Sequence, residues 1–368
     1  MTLNLQTWPE PIVRVQSLSE SGIFKIPETY IKPPSQRPSL NQSKPSISPD
    51  STQINIPVID ISGLFSAEAS RHADTLDLIG SACRDWGFFQ AVNHGVPVEM
   101  LRHTRETWRE FFHLRMEEKQ VYANSPVTYE GYGSRLGIEK GAKLDWGDYF
   151  FLNCFPESVR DMEKWPRDPV FCNRKELTAE YSQEMVKLGG RLMRALSLIL
   201  GLRENHLQDA FGGEDFTACL RANFYPKCPQ PDLTLGLSSH SDPGGMTFLY
   251  PDENVPGLQV RQGEMWVTVE TVPNAIIVNI GDQIQVLSNG KMKSVDHRVM
   301  VNSEKERVSM AYFYNPKGDI FIEPIKEFLA KEKLKPLYPR MTYNEYRLFI
   351  RMNGPRGKSQ VESHKSPN

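Results

Sequence analysis

Ala218-Cys219-Leu220-Arg221-Ala222-Asn223-Phe224-Tyr225 opens a series of short apolar segments that decides the fold class. Residues 246–250, 257–260, 266–268, 275–280, 284–287, 297–301 and 308–314 continue it, most of them separated by Gly, Pro or Asn. Short runs at turn-punctuated intervals predict antiparallel strands arranged as a sandwich or barrel. Upstream the period lengthens. Leu76, Ile79, Cys83 and Trp86 lie at helix spacing, and residues 97–112 read as a second helix. Met185, Leu188, Leu192, Leu196 and Ile199 predict a long amphipathic helix over 178–200, with Gly201 placed as its C-cap. Residues 56–60 read as a strand, 87–95 as a strand ending in a turn, and 129–137, rich in Gly and Tyr, as a loop or an irregular strand. Residues 328–335 and 342–351 return to helix spacing.

The fold class is therefore α+β: helices first, an all-β core, and helices last. Nine of the 27 prolines fall within the first 57 residues and forbid a long helix there. Residues 1–55 are expected to form an arm, docked near Trp8 to Tyr30 and mobile near Pro38 to Thr52. The expected organisation continues with a helix and strand unit at 56–175, a connecting helix at 176–213 and a β-core at 214–318. C-terminal helices and a polar, disordered tail occupy 319–368.

With 39% hydrophobic residues, the 368-residue chain can build a substantial core. Its formal net charge of -2 carries no global footprint for nucleic acid. No apolar run is long enough to cross a membrane, and the N-terminus lacks a signal-peptide pattern. Cys83, Cys154, Cys172, Cys219 and Cys228 form no C-x-x-C pair. A reducing, cytoplasmic location is expected.

Only eight histidines occur, and two bracket the β-rich segment: His240, two before Asp242, and His297. Alternate strand residues share a face, so His240 and Asp242 can point into one interior. His297 on another strand can complete a two-histidine, one-carboxylate face, which suits Fe(II) with positions left open for O2. The pair alone also fits surface polar residues beside a hydrogen-bonded core histidine. Arg307 and Ser309 form another i, i+2 pair, able to hold a carboxylate by guanidinium and hydroxyl. After Glu304-Lys305-Glu306, that pair alone also reads as part of a solvated charge run. The glycines at 131, 133 and 137 do not fit a dinucleotide fingerprint, because the third is one residue late.

Taken together these residues resemble the 2-oxoglutarate and Fe(II)-dependent dioxygenases, specifically the large plant group. The resemblance runs from about Ile56 to Gly357. Its elements are Gly87-Phe88-Phe89 with Asn93-His94-Gly95, Asn223-Phe224-Tyr225-Pro226 with Cys228-Pro229, His240-x-Asp242, His297 and Arg307-x-Ser309.

The resemblance implies a double-stranded β-helix, with iron held by His240, Asp242 and His297. Arg307 and Ser309 would meet the distal carboxylate of 2-oxoglutarate, with Tyr225 and Asn223 as further contacts. His94 belongs to a structural turn in this family. O2 would be the second cosubstrate and L-ascorbate the reductant. The implied reaction decarboxylates 2-oxoglutarate and hydroxylates a substrate C–H bond.

A nearer similarity is to the jasmonate-induced oxygenases, beyond a general one to leucoanthocyanidin dioxygenase and flavonol synthase. It rests on residues 8–16, 129–137, 210–213 and 346–351. It implies jasmonic acid as substrate, converted to the 12-hydroxy acid.

The residues agree with an acidic substrate. Arg347 and Arg351 are four apart on a helix, and Arg221 lies two before Asn223 on a strand. Three arginines aimed at one cavity are costly without an anion, so a substrate-carboxylate clamp is expected. Helix arginines also commonly face water, and Arg221 could instead pair with Glu214 or Asp215. Phe151, Phe313 and Phe349 are candidates for lining the apolar part of the pocket. The alternatives are a flavonoid oxidase, a non-catalytic hormone sensor on the same fold, and an interaction module working through the Pro-rich arm. A small carboxylic acid is the expected partner, with no nucleic acid and no membrane.

Overall fold

The structure is a computed structural model and describes residues 7–38, 54–166, 174–353 and 359–365. Among them, twelve strands build two facing sheets. They are β1 (Val58–Asp60), β2 (Phe88–Val92), β3 (Gly131–Gly133), β4 (Asp148–Phe155), β5 (Thr217–Tyr225), β6 (Leu237–His240), β7 (Met246–Tyr250), β8 (Leu258–Gln262), β9 (Met265–Thr268), β10 (Ile276–Ile280), β11 (His297–Val299) and β12 (Arg307–Asn315). The major sheet has the order β1-β2-β10-β7-β12-β5-β4-β3, and the minor sheet the order β6-β11-β8-β9. This is the expected double-stranded β-helix. The major sheet draws strands from both sides of residue 175, so the expected division at 175 cuts across a single sheet.

Strand alternation divides the major sheet into a core face and a cavity face. On β12, Val308, Met310, Tyr312 and Tyr314 belong to the main hydrophobic core, as do Ala218, Leu220, Ala222 and Phe224 on β5. Phe150, Leu152 and Cys154 of β4, with Met246, Phe248 and Tyr250 of β7, continue that face. The intervening residues point the other way, into the space between the sheets.

Helices cover the core face. They are α2 (Ala69–Asp85), α3 (Val98–Phe112), α4 (Met116–Gln120) and α5 (Arg174–Ile199), whereas α1 (Val15–Glu20) packs in a separate cluster with Trp146 and Tyr225. Trp108, Phe111 and Phe112 of α3 and Met185, Leu188, Leu192 and Leu196 of α5 supply its packing. Burying each such side chain contributes roughly 1.5–3 kcal/mol. Gly201 takes φ +70° just past α5, the left-handed geometry that ends a helix.

The remaining helices are α6 (His206–Ala210), α7 (Asp282–Leu287), α8 (Lys326–Glu332), α9 (Tyr343–Asn353) and α10 (Ser359–Glu362). Residues 284–287 are therefore helical, not a strand. All of 282–287 are buried, so the short run shows no alternation that could separate helix from strand. The expectation of a disordered tail is also corrected over 359–365. Val361 is fully buried and Gln285 donates to Glu362 at 3.1 Å.

The arm docks as expected over its described part. The backbone N–H groups of Val15 and Gln16 donate to the Asp148 carboxylate, and Arg14 lies 4.2 Å from the centre of the Tyr132 ring. The expected mobile stretch falls almost wholly on 39–53, outside the described residues. Among the described residues no helix is long and apolar enough to cross a membrane.

Candidate active site

His240 ends β6 and pairs directly with His297 on the neighbouring β11. Their rings lie 4.2 Å apart, centre to centre. The Oδ1 of Asp242 is 3.6 Å from the Nε2 of each. The second carboxylate oxygen accepts hydrogen bonds from Thr247 and Asn279, which aims Oδ1 at the histidines. The Nδ1 of His240 faces the Ser238 carbonyl at 2.8 Å, and that of His297 faces the Val295 carbonyl at 3.2 Å. A carbonyl only accepts, so each Nδ1 is the donor nitrogen, and each Nε2 is the one turned toward Asp242 and able to offer a lone pair to a metal.

Burial, with His297 opposite, pushes His240 down to about 4. Burial alone would raise the Asp242 carboxyl, but His297, His240 and its two hydrogen-bond donors hold it below its ordinary value. Two imidazole nitrogens and a carboxylate oxygen converge within 4.8 Å of one another, the donor set of an Fe(II) facial triad. The residues present therefore fit the metal.

Asp242 lies beyond the end of β6, so strand alternation does not place it. A tight turn does. The backbone N–H of Asp282 donates to the Asp242 carbonyl at 2.8 Å, and that of Gly281 to the Gly245 carbonyl at 2.7 Å. A Cβ on Gly281 would stand 2.4 Å from the Gly244 carbonyl oxygen, so the approach admits only glycine.

The cavity beside the metal face has a volume of about 480 Å³. Its wall follows from register: Arg307 opposes Tyr225, Ser309 opposes Asn223, Ala311 opposes Arg221 and Phe313 opposes Cys219. Next on β4 come Tyr149, beside Asn223, and Phe151, beside Arg221. Arg307 is buried; its Nη1 donates to Ser309 Oγ at 3.1 Å and its Nε to the Val255 carbonyl at 3.2 Å. Its guanidinium lies 5.4 Å from the centre of the Tyr225 ring.

Arg221, Arg347 and Arg351 all line this cavity. None makes an ion pair among the described residues, and Arg221 is not paired with Glu214 or Asp215. Arg221 lies on the Tyr149 ring at 4.2 Å, and Arg351 faces the Tyr129 ring at 5.2 Å while donating to the Val127 carbonyl. Burial and the nearby Arg347 lower the Arg351 pKa.

Phe151 and Phe313 line the cavity, but Phe349 does not. On α9, Tyr343, Arg347, Ile350 and Arg351 share the cavity face, whereas the Phe349 ring packs against His364 of the docked tail at 4.6 Å. His94 stays outside the site. Its Nε2 donates to the Asn274 carbonyl and its Nδ1 accepts from the Val96 N–H.

Thr247 and Asn279, which orient Asp242, and Tyr129 and Tyr149, which seat two arginines, are functional neighbours that the sequence reading did not single out. Strand alternation places Thr247 inward once 246–250 is read as a strand. Nothing local in the sequence marks Asn279.

The 2OG-Fe(II) oxygenase superfamily matches residues 216–316, and the non-haem dioxygenase in morphine synthesis N-terminal family matches 56–168. The chain is 60% identical over 362 residues to jasmonate-induced oxygenase 1 of Arabidopsis thaliana, covering 98% of this chain and 88% of that protein. It is 38% identical over 341 residues to leucoanthocyanidin dioxygenase of Malus domestica, covering 90% and 93%. The crystal structure of JOX2 in complex with 2OG, Fe and JA is similar with a TM-score of 0.88 at 57% identity, covering 98% of this chain and all of that one.

Proposed function

The chain belongs to the 2-oxoglutarate/Fe(II) oxygenase superfamily, and from that premise we propose that it hydroxylates a small carboxylic acid, jasmonic acid to 12-hydroxyjasmonate, inactivating a plant hormone. Bound Fe(II), with 2-oxoglutarate and O2, supplies the oxidising power for C–H hydroxylation, with succinate and CO2 as co-products and ascorbate as reductant.

The chain's own residues bind and orient. Arg307 and Ser309 hold the distal carboxylate of 2-oxoglutarate, with Tyr225 and Asn223 beside it. Arg221, Arg347 and Arg351 hold the carboxylate of the substrate, and Phe151 and Phe313 pack its ring. The observation that carries this reading is the set of three cavity arginines without an acidic partner among the described residues. A neutral polyphenol would leave those charges uncompensated in a partly dry chamber. The name of the 60% identical jasmonate-induced oxygenase, and the similar structure in complex with 2OG, Fe and JA, agree with it. The four described cysteines are free and buried, which agrees with a cytoplasmic location.

The test is an incubation with Fe(II), ascorbate, 2-oxoglutarate and jasmonic acid, read by mass spectrometry. A product heavier by one oxygen, absent without 2-oxoglutarate, is expected, and fragmentation should place the oxygen at C12. Turnover of flavonoids with none of jasmonic acid would replace the proposal by a flavonoid oxidase. No succinate release with any substrate would favour a sensor.

A further inference from the structure

His297 and Arg298 are neighbours on β11, so their side chains leave opposite faces of the minor sheet. His297 and Val299 line the metal chamber, whereas Asp296 and Arg298 line a second cavity of about 700 Å³. The two spaces share a wall that includes Tyr149, Arg221 and Tyr225.

Arg298 is only 4% exposed. Among the described residues its one hydrogen bond runs from Nε to Gln259 Oε1 at 2.8 Å. Its guanidinium lies 4.2 Å from the centre of the Trp266 ring, and Arg261 faces the same ring at 5.3 Å. Arg261 pairs with the exposed Glu264, but Arg298 makes no ion pair among the described residues. Burial, with Arg261 nearby, pushes Arg298 down to about 10, which leaves it charged at neutral pH. The carboxylates of Glu139, Asp145, Asp148 and Asp296 also line the cavity. Asp145 is engaged by Lys32 and Ser238, and Asp148 by the backbone N–H groups of Val15 and Gln16. A buried cation that forms no ion pair among the described residues, opening onto a cavity whose lysines and arginines outnumber its carboxylates, is a place where an anion is stabilising. The Trp266 ring packs against the guanidinium, and among the described residues no hydrogen bond is made by its two Nη atoms.

We propose that this second cavity binds a small organic anion through Arg298, with Arg261 and Trp266 in support, on the opposite side of β11 from the metal triad. The matching chemistry is a planar pair of oxygens sharing one negative charge, as in a carboxylate or the enediolate of ascorbate. The shared wall sets such a ligand directly behind Arg221 and Tyr149, next to the substrate chamber.

The experiment uses the full-length chain loaded with Mn(II) and 2-oxoglutarate, titrated calorimetrically with ascorbate, succinate and jasmonic acid in separate runs. Arg298→Gln and Arg261→Glu are compared with wild type. The half-buried Arg261, paired with the exposed Glu264, gives a variant farther from the metal face than Arg298. At least one of the three anions should show a saturable phase that weakens tenfold or more in both variants and persists in Arg351→Gln. Ascorbate alone doing so identifies a reductant site. Jasmonic acid binding with a second equivalent identifies a site for the substrate acid itself, and succinate alone a site for the released co-product. Mn(II) and 2-oxoglutarate affinities should stay within twofold, which separates the effect from a disturbed His297. Isotherms for all three anions that are the same in wild type and Arg261→Glu would overturn the proposal.

Discussion

The guanidinium of Arg221 lies 4.2 Å from the centre of the Tyr149 ring, and its Nε has no hydrogen-bond partner among the described residues. The ring fixes the height of the charge without neutralising it. A donor held in place and left unsatisfied is ready for an acceptor on an incoming ligand.

Arg351→Ala should therefore raise the KM for jasmonic acid about 10- to 100-fold, the equivalent of one charge-assisted hydrogen bond of roughly 1.5–3 kcal/mol. The KM for 2-oxoglutarate should change less than about twofold. Arg351 also donates to the Val127 carbonyl, so the thermal midpoint is recorded alongside. Equal rises in both KM values would indicate a folding defect in place of a clamp.

Arg307→Lys should have the reverse signature. The ammonium cannot reproduce the planar fork that reaches both Ser309 and a carboxylate. The KM for 2-oxoglutarate should rise about tenfold or more, while direct binding of jasmonic acid stays near wild type. Unchanged use of 2-oxoglutarate would remove Arg307 from that role.

Thr247→Val and Asn279→Ala each remove a donor to the Asp242 oxygen that faces away from the histidines. Outer partners of this kind are worth about 10- to 100-fold in metal affinity. Competition with a chelator, read as Fe(II) dissociation, should show a loss in that range for each. Wild-type affinity in both would mean that the backbone turn alone orients Asp242.

Asp282 joins the metal turn to α9. It accepts from Tyr346 at 2.6 Å and from Ser241 at 3.3 Å, and burial pushes it up to about 7 from an ordinary 3.8. Between those two values the folded chain binds more protons than the unfolded one. Its contribution to stability therefore falls as pH rises through that window and levels off above about 7. The thermal midpoint of wild type relative to Asp282→Asn should decline from pH 5 to pH 7.5. Parallel curves would show that Asp282 does not titrate there.

Much of this site is legible in the sequence because strand alternation is a strong constraint. Arg307-x-Ser309 and Arg221-x-Asn223-x-Tyr225 share a face through period two alone, and their strands pair in register. His240 and His297 are visible as scarce residues bracketing the β segment. Asp242 is legible as a ligand but not for the reason of alternation, since a glycine turn aims it. β4 goes unassigned in the sequence reading because Tyr149, Phe150, Phe151 and Leu152 form one aromatic-rich run without polar alternation. One of its faces meets the core and the other the cavity. Phe349 and the tail are misread together. The tail covers the far face of α9, and local composition carries no sign of that long-range contact.

The most direct measurement of the central claim is the ratio of kcat/KM for jasmonic acid to that for its methyl ester, on the wild-type chain. The ester keeps the ring, the side chain and the C–H bond to be oxidised, and replaces the charged carboxylate by a neutral group one methyl larger. Recognition through Arg221, Arg347 and Arg351 predicts that the acid is favoured about 100-fold or more, equivalent to roughly 3 kcal/mol. A ratio near one would contradict carboxylate recognition as the basis of specificity.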